Sequence, residues 1–574
     1  MNGACVSPAR NPKTVTEAVR LKDSRRLTGA NLYWQRPSAI IDCAGDGNLG
    51  DFIERWRGTV EKLLAQVGHA GEQTTVRIFD GGASLLISAP IDALYSMCEL
   101  NEAAFAHAAG KLALDEQVIA PLRALFAEEA NPRLLALQAA AAEQGVHFLW
   151  DDDAVSVGYG ATAKVWTPDN LPEPATVPWQ DIGSIPVGMV TGTNGKSTTV
   201  RMSAAILKAS GLCAGLTSTD WIRLGDDIID RGDYSGTGGA RTLLRNPRTE
   251  VAVLETARGG LLRRGLGAER VTAALITNIA SDHLGEYGIN TVAELIEAKF
   301  IVRRALFDGA PLILNADDEG AVNFASRLEQ PLEWFSLDPD NRVLINHREQ
   351  GGRAAFLEDE TLYLAEGAEK QALMPARAIP ATLDGAARHN IANALAAAAL
   401  CRALGVATSA IRDGLQSFRG DETDNPGRGN WFEKDGVRIL VDFAHNEHGM
   451  RALAEMMHHV AAERRFLLIS QAGDRSDKDI QDMTVAACAM QPDHVLLCEL
   501  PGYERGRQAG EVTAVIRESA LDCGVHSEEI SHHPTPRDAV AAALDMAQAG
   551  DLLVLLVLTQ RQEILALLHD FLKR

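Results

Sequence analysis

The chain is 574 residues long, 46% apolar and 23% charged, and its 55 basic against 77 acidic groups leave a formal charge of −22. A chain this acidic is not expected to bind nucleic acid or anionic membranes in general, because both attract basic surfaces; a cationic substrate suits it. At roughly 150 residues per domain the length allows three or four domains, with core enough to need no disulfide or metal support.

Residues 1–25 mix charges without periodicity and read as a flexible arm, and the opening MNGACVSPAR lacks the apolar stretch of a signal peptide. Residues 26–166 combine short β-like stretches (SAIIDCA, TVRIFD, SLLISA) with a long Ala-rich helical region around 102–144, which predicts an N-terminal α+β domain. Five prolines (168, 172, 174, 178 and 186) then mark 167–186 as a linker. Beyond it, near-continuous apolar runs at 187–192, 251–256, 273–279 and 311–316 alternate with helical patterns. Such runs suit parallel strands covered on both faces. They predict an α/β central domain over 187–420. A second α/β block, with RILVDFA, RFLLISQ, HVLLCEL and DLLVLLV as strands, fills 421–574. The eight cysteines (5, 43, 98, 213, 401, 488, 498 and 523) form no CxxC pair, so reduced thiols are expected. The longest apolar run, Leu552–Leu558, is far short of the roughly 20 residues that span a bilayer. A cytoplasmic location without a membrane partner is expected.

The strongest local signal is GTNGKST, comprising Gly192, Thr193, Asn194, Gly195, Lys196, Ser197 and Thr198, placed between an apolar strand and a helix. Glycines let backbone N–H groups wrap phosphates, and the helix N-terminus favours negative charge there. Lys196 would reach the terminal phosphates of ATP and Ser197 would ligate Mg²⁺. A plain Gly-rich turn is the competing reading. Glu255 ends a strand in LETARGG, where a carboxylate can hold a metal or simply decorate the surface. His283 follows another strand end and could equally be structural. Lys299 lies on the apolar stripe of TVAELIEAKFIVRRALF, where a buried amine needs a partner, a role, or a route to the surface.

Val190 replaces the first glycine of the general phosphate-loop pattern, and GTNGK[ST] resembles the form used by Mur-type ATP-dependent amide ligases. That resemblance implies a P-loop Mur-type central domain and a Rossmann-like C-terminal domain. Glu255 and His283 would then be metal ligands, and Lys299 a carbamylated lysine holding the second Mg²⁺ with His283. Asn390 and Asn393 in ARHNIANALAA match the helix on the adenine side of ATP. Arg428 and Asp442 match the pair that the third domain brings onto the nucleotide.

Within that family, STD (218–220), GDYSG (232–236), LETARGGLLRRGLG, NIASDHLG, LNADD, NPGR, DFAHN and GDRSDKDI resemble the cyanophycin synthetase branch. RLTGANLYWQRPSAIIDC and DDDAVSVGYGATAKVW look like that branch's N-terminal domain, here running into the proline segment with no ATP-grasp module between. The resemblance implies a single ATP-driven ligation, joining an amino acid, a basic one such as arginine, to an aspartate-type carboxylate through an acyl phosphate. Substrate contacts carried over are Thr219, Asp220, Asp233, Ser235 and Arg258, with His445, Asn446, Asp474, Arg475 and Arg507 near the incoming amine. A homo-oligomer is implied as well. Trp221, Tyr234 and Glu447 depart from the branch pattern; Trp221 could narrow a pocket, stack on a guanidinium, or serve packing. Two alternatives are a non-catalytic nucleotide-binding partner of a full-length synthetase and a poly-γ-glutamate or folylpolyglutamate type of ligase. The first would bind ATP without turnover; the second leaves the N-terminal match and LETARGG without explanation.

Overall fold

A computed structural model describes residues 19–45 and 49–573. Most of the expected arm, residues 1–18 with Cys5, lies outside them. The rest of that arm is corrected: Arg20–Leu27 is an edge strand of a four-stranded antiparallel sheet, followed in space by Ser38–Ala44, Gly82–Ser88 and Thr74–Phe79. Its charged text hides it, because an edge strand needs little apolar alternation; Arg25 instead pairs with buried Asp42 at 2.6 Å. The Ala-rich region is three helices, Leu94–Ala108, Glu116–Glu129 and Pro132–Glu143. Asp115 and Asn131 cap the second and third, each accepting a backbone N–H, so the run is interrupted by polar caps that alanine propensity obscures.

The proline segment holds only single 3₁₀ turns at Pro174–Thr176 and Trp179–Asp181. It is nonetheless anchored, since Leu171, Val177 and Ile182 are buried in the N-terminal core beside Leu137 and Trp150.

The central domain is built on an eleven-stranded sheet. Seven parallel strands run in the spatial order Ala214–Thr217, Val251–Glu255, Val187–Thr191, Ala273–Ile276, Leu312–Asn315, Leu332–Ser336 and Arg353–Glu358. Antiparallel strands extend both edges. Alternation along each strand feeds two cores: Val190 packs with the helices Lys196–Ala209 and Arg388–Ala403 on one face, while Val187 and Met189 pack on the other. The alanines at 394 and 396–399 are wholly buried, which brings that second helix close to the sheet.

In the C-terminal domain Asn430–Lys434 pairs antiparallel with Val437–Asp442, which continues into parallel strands Leu552–Leu556, Arg465–Ile469, His494–Cys498 and Ile530–His533. The architecture is α/β, as the alternating pattern predicts. Among the described residues every cysteine is a free thiol, and no helix is long and apolar enough to cross a membrane.

Candidate active site

Parallel strands present their C-terminal ends on one side of a sheet, and ligands gather there. That edge opens onto a cleft of about 1090 Å³ between the central and C-terminal domains. At its floor the strand Val187–Thr191 turns through Gly192–Gly195 into the helix Lys196–Ala209. Glycine is required twice. Gly192 (φ +147°) would place a Cβ 1.9 Å from Thr277 Oγ1, and Gly195 (φ +81°) would place one 2.2 Å from Asn393 Oδ1. The turn is stapled from the neighbouring strand end: Thr193 N donates to Asn278 O at 2.8 Å, Asn194 N to Asn278 Oδ1 at 2.9 Å, and Thr277 Oγ1 to Asn194 O at 2.6 Å. Sequence reasoning singled out neither Thr277 nor Asn278, whose only signal is a Thr-Asn pair at a strand end.

Ser197, first-turn residue of that helix, donates its hydroxyl to Glu255 Oε1 at 3.1 Å. The other oxygen, Glu255 Oε2, is buried without a partner. A buried carboxylate oxygen without a donor, beside a hydroxyl, forms a hard oxygen pair that fits Mg²⁺. Thr219 Oγ1 lies 3.4 Å from Ser197 Oγ and accepts from Arg428 at 3.2 Å. Lys196 Nζ donates to Thr193 O at 2.8 Å, and burial lowers its pKa.

Lys299 reaches the same floor from the end of the helix Val292–Lys299, donating to Gly192 O at 2.8 Å. The α-helix stops there, and the apolar stripe of TVAELIEAKFIVRRALF passes on into a 3₁₀ segment, Phe300–Ala305. Burial, reinforced by the charge of Lys196, holds the Lys299 pKa well below its ordinary value. Beside it Asp282, His283 and His445 converge, their ligand atoms within 4.8 Å of one another. Burial lowers His283 to about 4. Burial opposes ionisation of Asp282, but His445, His283, Arg475 and Lys196 together bring it down to about 2. Arg475, from the C-terminal domain, donates to His283 Nε2 at 2.8 Å and pairs with Asp282 at 3.1 Å.

Asn390 and Asn393 line the cleft on the side of the helix Arg388–Ala403, joined to each other at 3.2 Å. Asp317 and Asp318, not singled out individually from the sequence, line it too; Asp318 accepts Ile279 N at 2.5 Å and caps the next helix. The C-terminal domain contributes Arg428, whose guanidinium lies 4.9 Å from the Phe443 ring, and Asp442, whose pKa burial raises. Asn446 caps the helix Glu447–His458 and exchanges two 3.1 Å amide hydrogen bonds with Asn194.

Of the remaining predicted contacts, Asp233, Ser235 and Arg258 line the cleft, with Ser235 Oγ donating to Asp233 at 2.6 Å. Arg258 donates to His283 O at 2.6 Å and pairs with Glu286. Asp474 pairs with Arg505 near His283 and Glu286. Arg507 is engaged within its own domain, bonding Gly473 O at 3.0 Å, Asp477 at 2.6 Å and Arg475 O at 2.5 Å, and so shapes the loop that carries Asp474 and Arg475. Asp220 points away from the cleft lining into a buried ion-pair network with Arg201 and, at 2.5 Å, Arg561. Trp221 is buried with its ring 4.7 Å from the Arg201 guanidinium, so it both stacks and packs, against an internal arginine.

Comparison with known proteins bears on this arrangement. The model of the Mur ligase middle domain matches residues 190–401, and that of the Mur ligase glutamate ligase domain matches 427–556. The chain is 35% identical over 379 residues to a cyanophycin synthetase of Trichormus variabilis, a match covering 66% of this chain and 42% of the relative. It thus spans less than half the length of that relative. It is 26% identical over 391 residues to a UDP-N-acetylmuramoyl-L-alanyl-D-glutamate–2,6-diaminopimelate ligase of Geobacter metallireducens, covering 65% of this chain and 73% of that one. Among solved structures it is similar to E. coli FolC in complex with DHPP and ADP, at 19% identity and a TM-score of 0.48, covering 67% of this chain and 89% of that one.

Proposed function

The chain belongs to the Mur ligase family through its middle and C-terminal domains, and on that premise we propose that it is an ATP-dependent ligase joining an amino acid to a carboxylate. The observation that carries this reading is the cleft in which Lys196, the Ser197–Glu255 pair with its partnerless oxygen, and Lys299 beside Asp282, His283 and His445 face one another.

In this reading the amides of Gly192–Thr198 and the helix N-terminus receive the ATP phosphates, and Lys196 turns from Thr193 O to the γ-phosphate. An acceptor carboxylate oxygen attacks the γ-phosphorus, giving an acyl phosphate and ADP. The nitrogen of an amine then bonds to the acyl carbon, expelling inorganic phosphate and giving up a proton. Ser197 and Glu255 would hold one Mg²⁺, and His283 with carbamylated Lys299 the other; bound there, the ions would neutralise phosphate charge. The lowered pKa of Lys299 favours the neutral amine that adds carbon dioxide. Asp233, Ser235 and Arg258 lie on the acceptor side, and His445, Asn446, Asp474, Arg475 and Arg507 belong to the loops nearest the amine. Asn390, Asn393, Arg428 and Asp442 complete the nucleotide side, and docking of the C-terminal domain excludes water.

The acceptor is an aspartate-type carboxylate on a peptide or small molecule, and the amine is a basic amino acid such as arginine. The −22 charge agrees with a cationic amine. The test is a matrix of amino acids against aspartyl acceptors with ATP and Mg²⁺, read by mass spectrometry and phosphate release. Amide products confined to basic amino acids are expected. Nucleotide binding with no release across the whole matrix would overturn the proposal.

A further inference from the structure

The loop that carries His283 is unusual backbone. His283 (φ 51°), Gly285 (φ 94°), Tyr287 (φ 54°) and Gly288 (φ 68°) are all left-handed, and two of the four carry side chains that disfavour it. Such a loop keeps its shape only when its surroundings dictate it. On the cleft side Arg258 holds His283 O and Glu286. On the far side the support comes from the N-terminal domain.

There, Arg77 on the strand Thr74–Phe79 donates to Gly288 O at 2.8 Å and to Glu294 Oε1 at 2.7 Å. The other Glu294 oxygen accepts the backbone N–H groups of Asn290 at 2.8 Å and Thr291 at 3.0 Å. This closes the capping box of the helix whose last residue is Lys299. Phe79 fills the space over Gly288, where a Cβ would meet the ring at 2.5 Å, and Asp80 O accepts from the Asn290 amide at 3.1 Å. A single guanidinium therefore grips both the His283 loop and the start of the helix that ends in Lys299.

We infer that Arg77 of the N-terminal domain is a positioning residue for the catalytic centre, setting His283 and Lys299 against the phosphate loop, so that the N-terminal domain is a working part of the ligase site. The inference rests on the proposed reading of His283 and Lys299 as holders of the second divalent cation. Arg77 itself does not line the cleft.

The test uses the full chain with a non-hydrolysable ATP analogue, titrated with Mn²⁺ by electron paramagnetic resonance, together with hydrogen exchange over residues 283–294. His283→Ala should lose the weaker Mn²⁺ equivalent. Arg77→Ala should weaken that same equivalent by about tenfold, as loss of outer support to metal ligands does. The tighter equivalent and nucleotide affinity should be unchanged, and exchange over 283–294 should accelerate. Arg77→Lys, with the charge but no fork, should fall between, and carries the test if Arg77→Ala does not fold. Loss of the weaker equivalent in His283→Ala alone, with both Arg77 variants matching the parent in Mn²⁺ binding and exchange, would overturn this inference and leave the metal reading standing. An unchanged His283→Ala would overturn the metal reading itself, and this inference with it. Equal weakening of both equivalents would mark general destabilisation and also overturn it.

Discussion

Replacing Asp220 with alanine is expected to cost stability first and substrate affinity only secondarily. The Asp220 side chain is 8% exposed and Arg201, on the phosphate-loop helix, 3%; Arg561 is 26% exposed. At neutral pH the pair is ionised: burial opposes the charge on Asp220, but Arg201, Arg428 and Arg561 outweigh it and lower its pKa, while burial brings Arg201 only to about 10. Without Asp220, Arg201 keeps a single polar contact at 2.7 Å to Asn425 and the face of Trp221. Removing one partner of a buried pair costs about 3–5 kcal/mol. Arg561→Ala is the comparison, because it deletes the 2.5 Å bond to the C-terminal domain yet leaves Asp220 paired with Arg201. A charge-assisted bond contributes about 1.5–3 kcal/mol, and solvent screening at the partly exposed Arg561 reduces that towards about 1 kcal/mol. Urea unfolding of both variants at pH 7 should therefore show a first transition shifted much further in Asp220→Ala. Equal shifts in the two variants would refute the reasoning. So would an unshifted Asp220→Ala that raises only the KM for the acceptor, since Asp220 would then be a substrate contact.

Gly195→Ala must push Asn393 aside and adopt a left-handed φ, so it should abolish ATP binding by calorimetry while the chain stays folded; retained affinity would count against the stapled turn. Lys299→Ala should stop phosphate release, and the parent protein should slow in carbon-dioxide-depleted buffer and recover with bicarbonate; an unchanged rate there would remove the carbamate. His147 stacks on Tyr159 at 4.2 Å between centroids, and burial pushes its pKa down to about 4. Its stabilising contribution is therefore full above the ordinary 6.5 and is lost as pH falls through about 4. His147→Phe should flatten the decline in unfolding free energy between those values, and an unaltered slope would show that His147 does not titrate as argued.

Much of the candidate site was legible because its residues lie in contiguous text. GTNGKST between a strand and a helix reads as a phosphate loop, Glu255 closes a strand of the same sheet, and Lys299 stands out as an amine on an apolar stripe. The parts that were not legible depend on distant pairings. Asn194 meets Asn278 across 84 residues and Asn446 across 252, and neither spacing has a local pattern. Asp220 reads as a substrate residue through the resemblance of STD, yet its carboxylate is taken up by Arg201 and Arg561. The strand Arg20–Leu27 was missed because ion pairs replace the apolar alternation that marks interior strands. The Ala-rich region conceals its boundaries since alanine favours helix on either side of the Asp115 and Asn131 caps.

The burial of Leu171, Val177 and Ile182 fastens the proline segment to the N-terminal core, and Arg25 and Arg77 tie that core to the central domain through Leu262 O and Glu294. On the proposed ligase reading the first two domains would form a fixed bench, and the C-terminal domain would be the arm that travels. Nucleotide exchange would then require that arm to lift, undoing the Asn194–Asn446 and Asp220–Arg561 contacts, while asking nothing of the bench. An acceptor resting on Asp233, Ser235 and Arg258 would stay in place while ADP leaves.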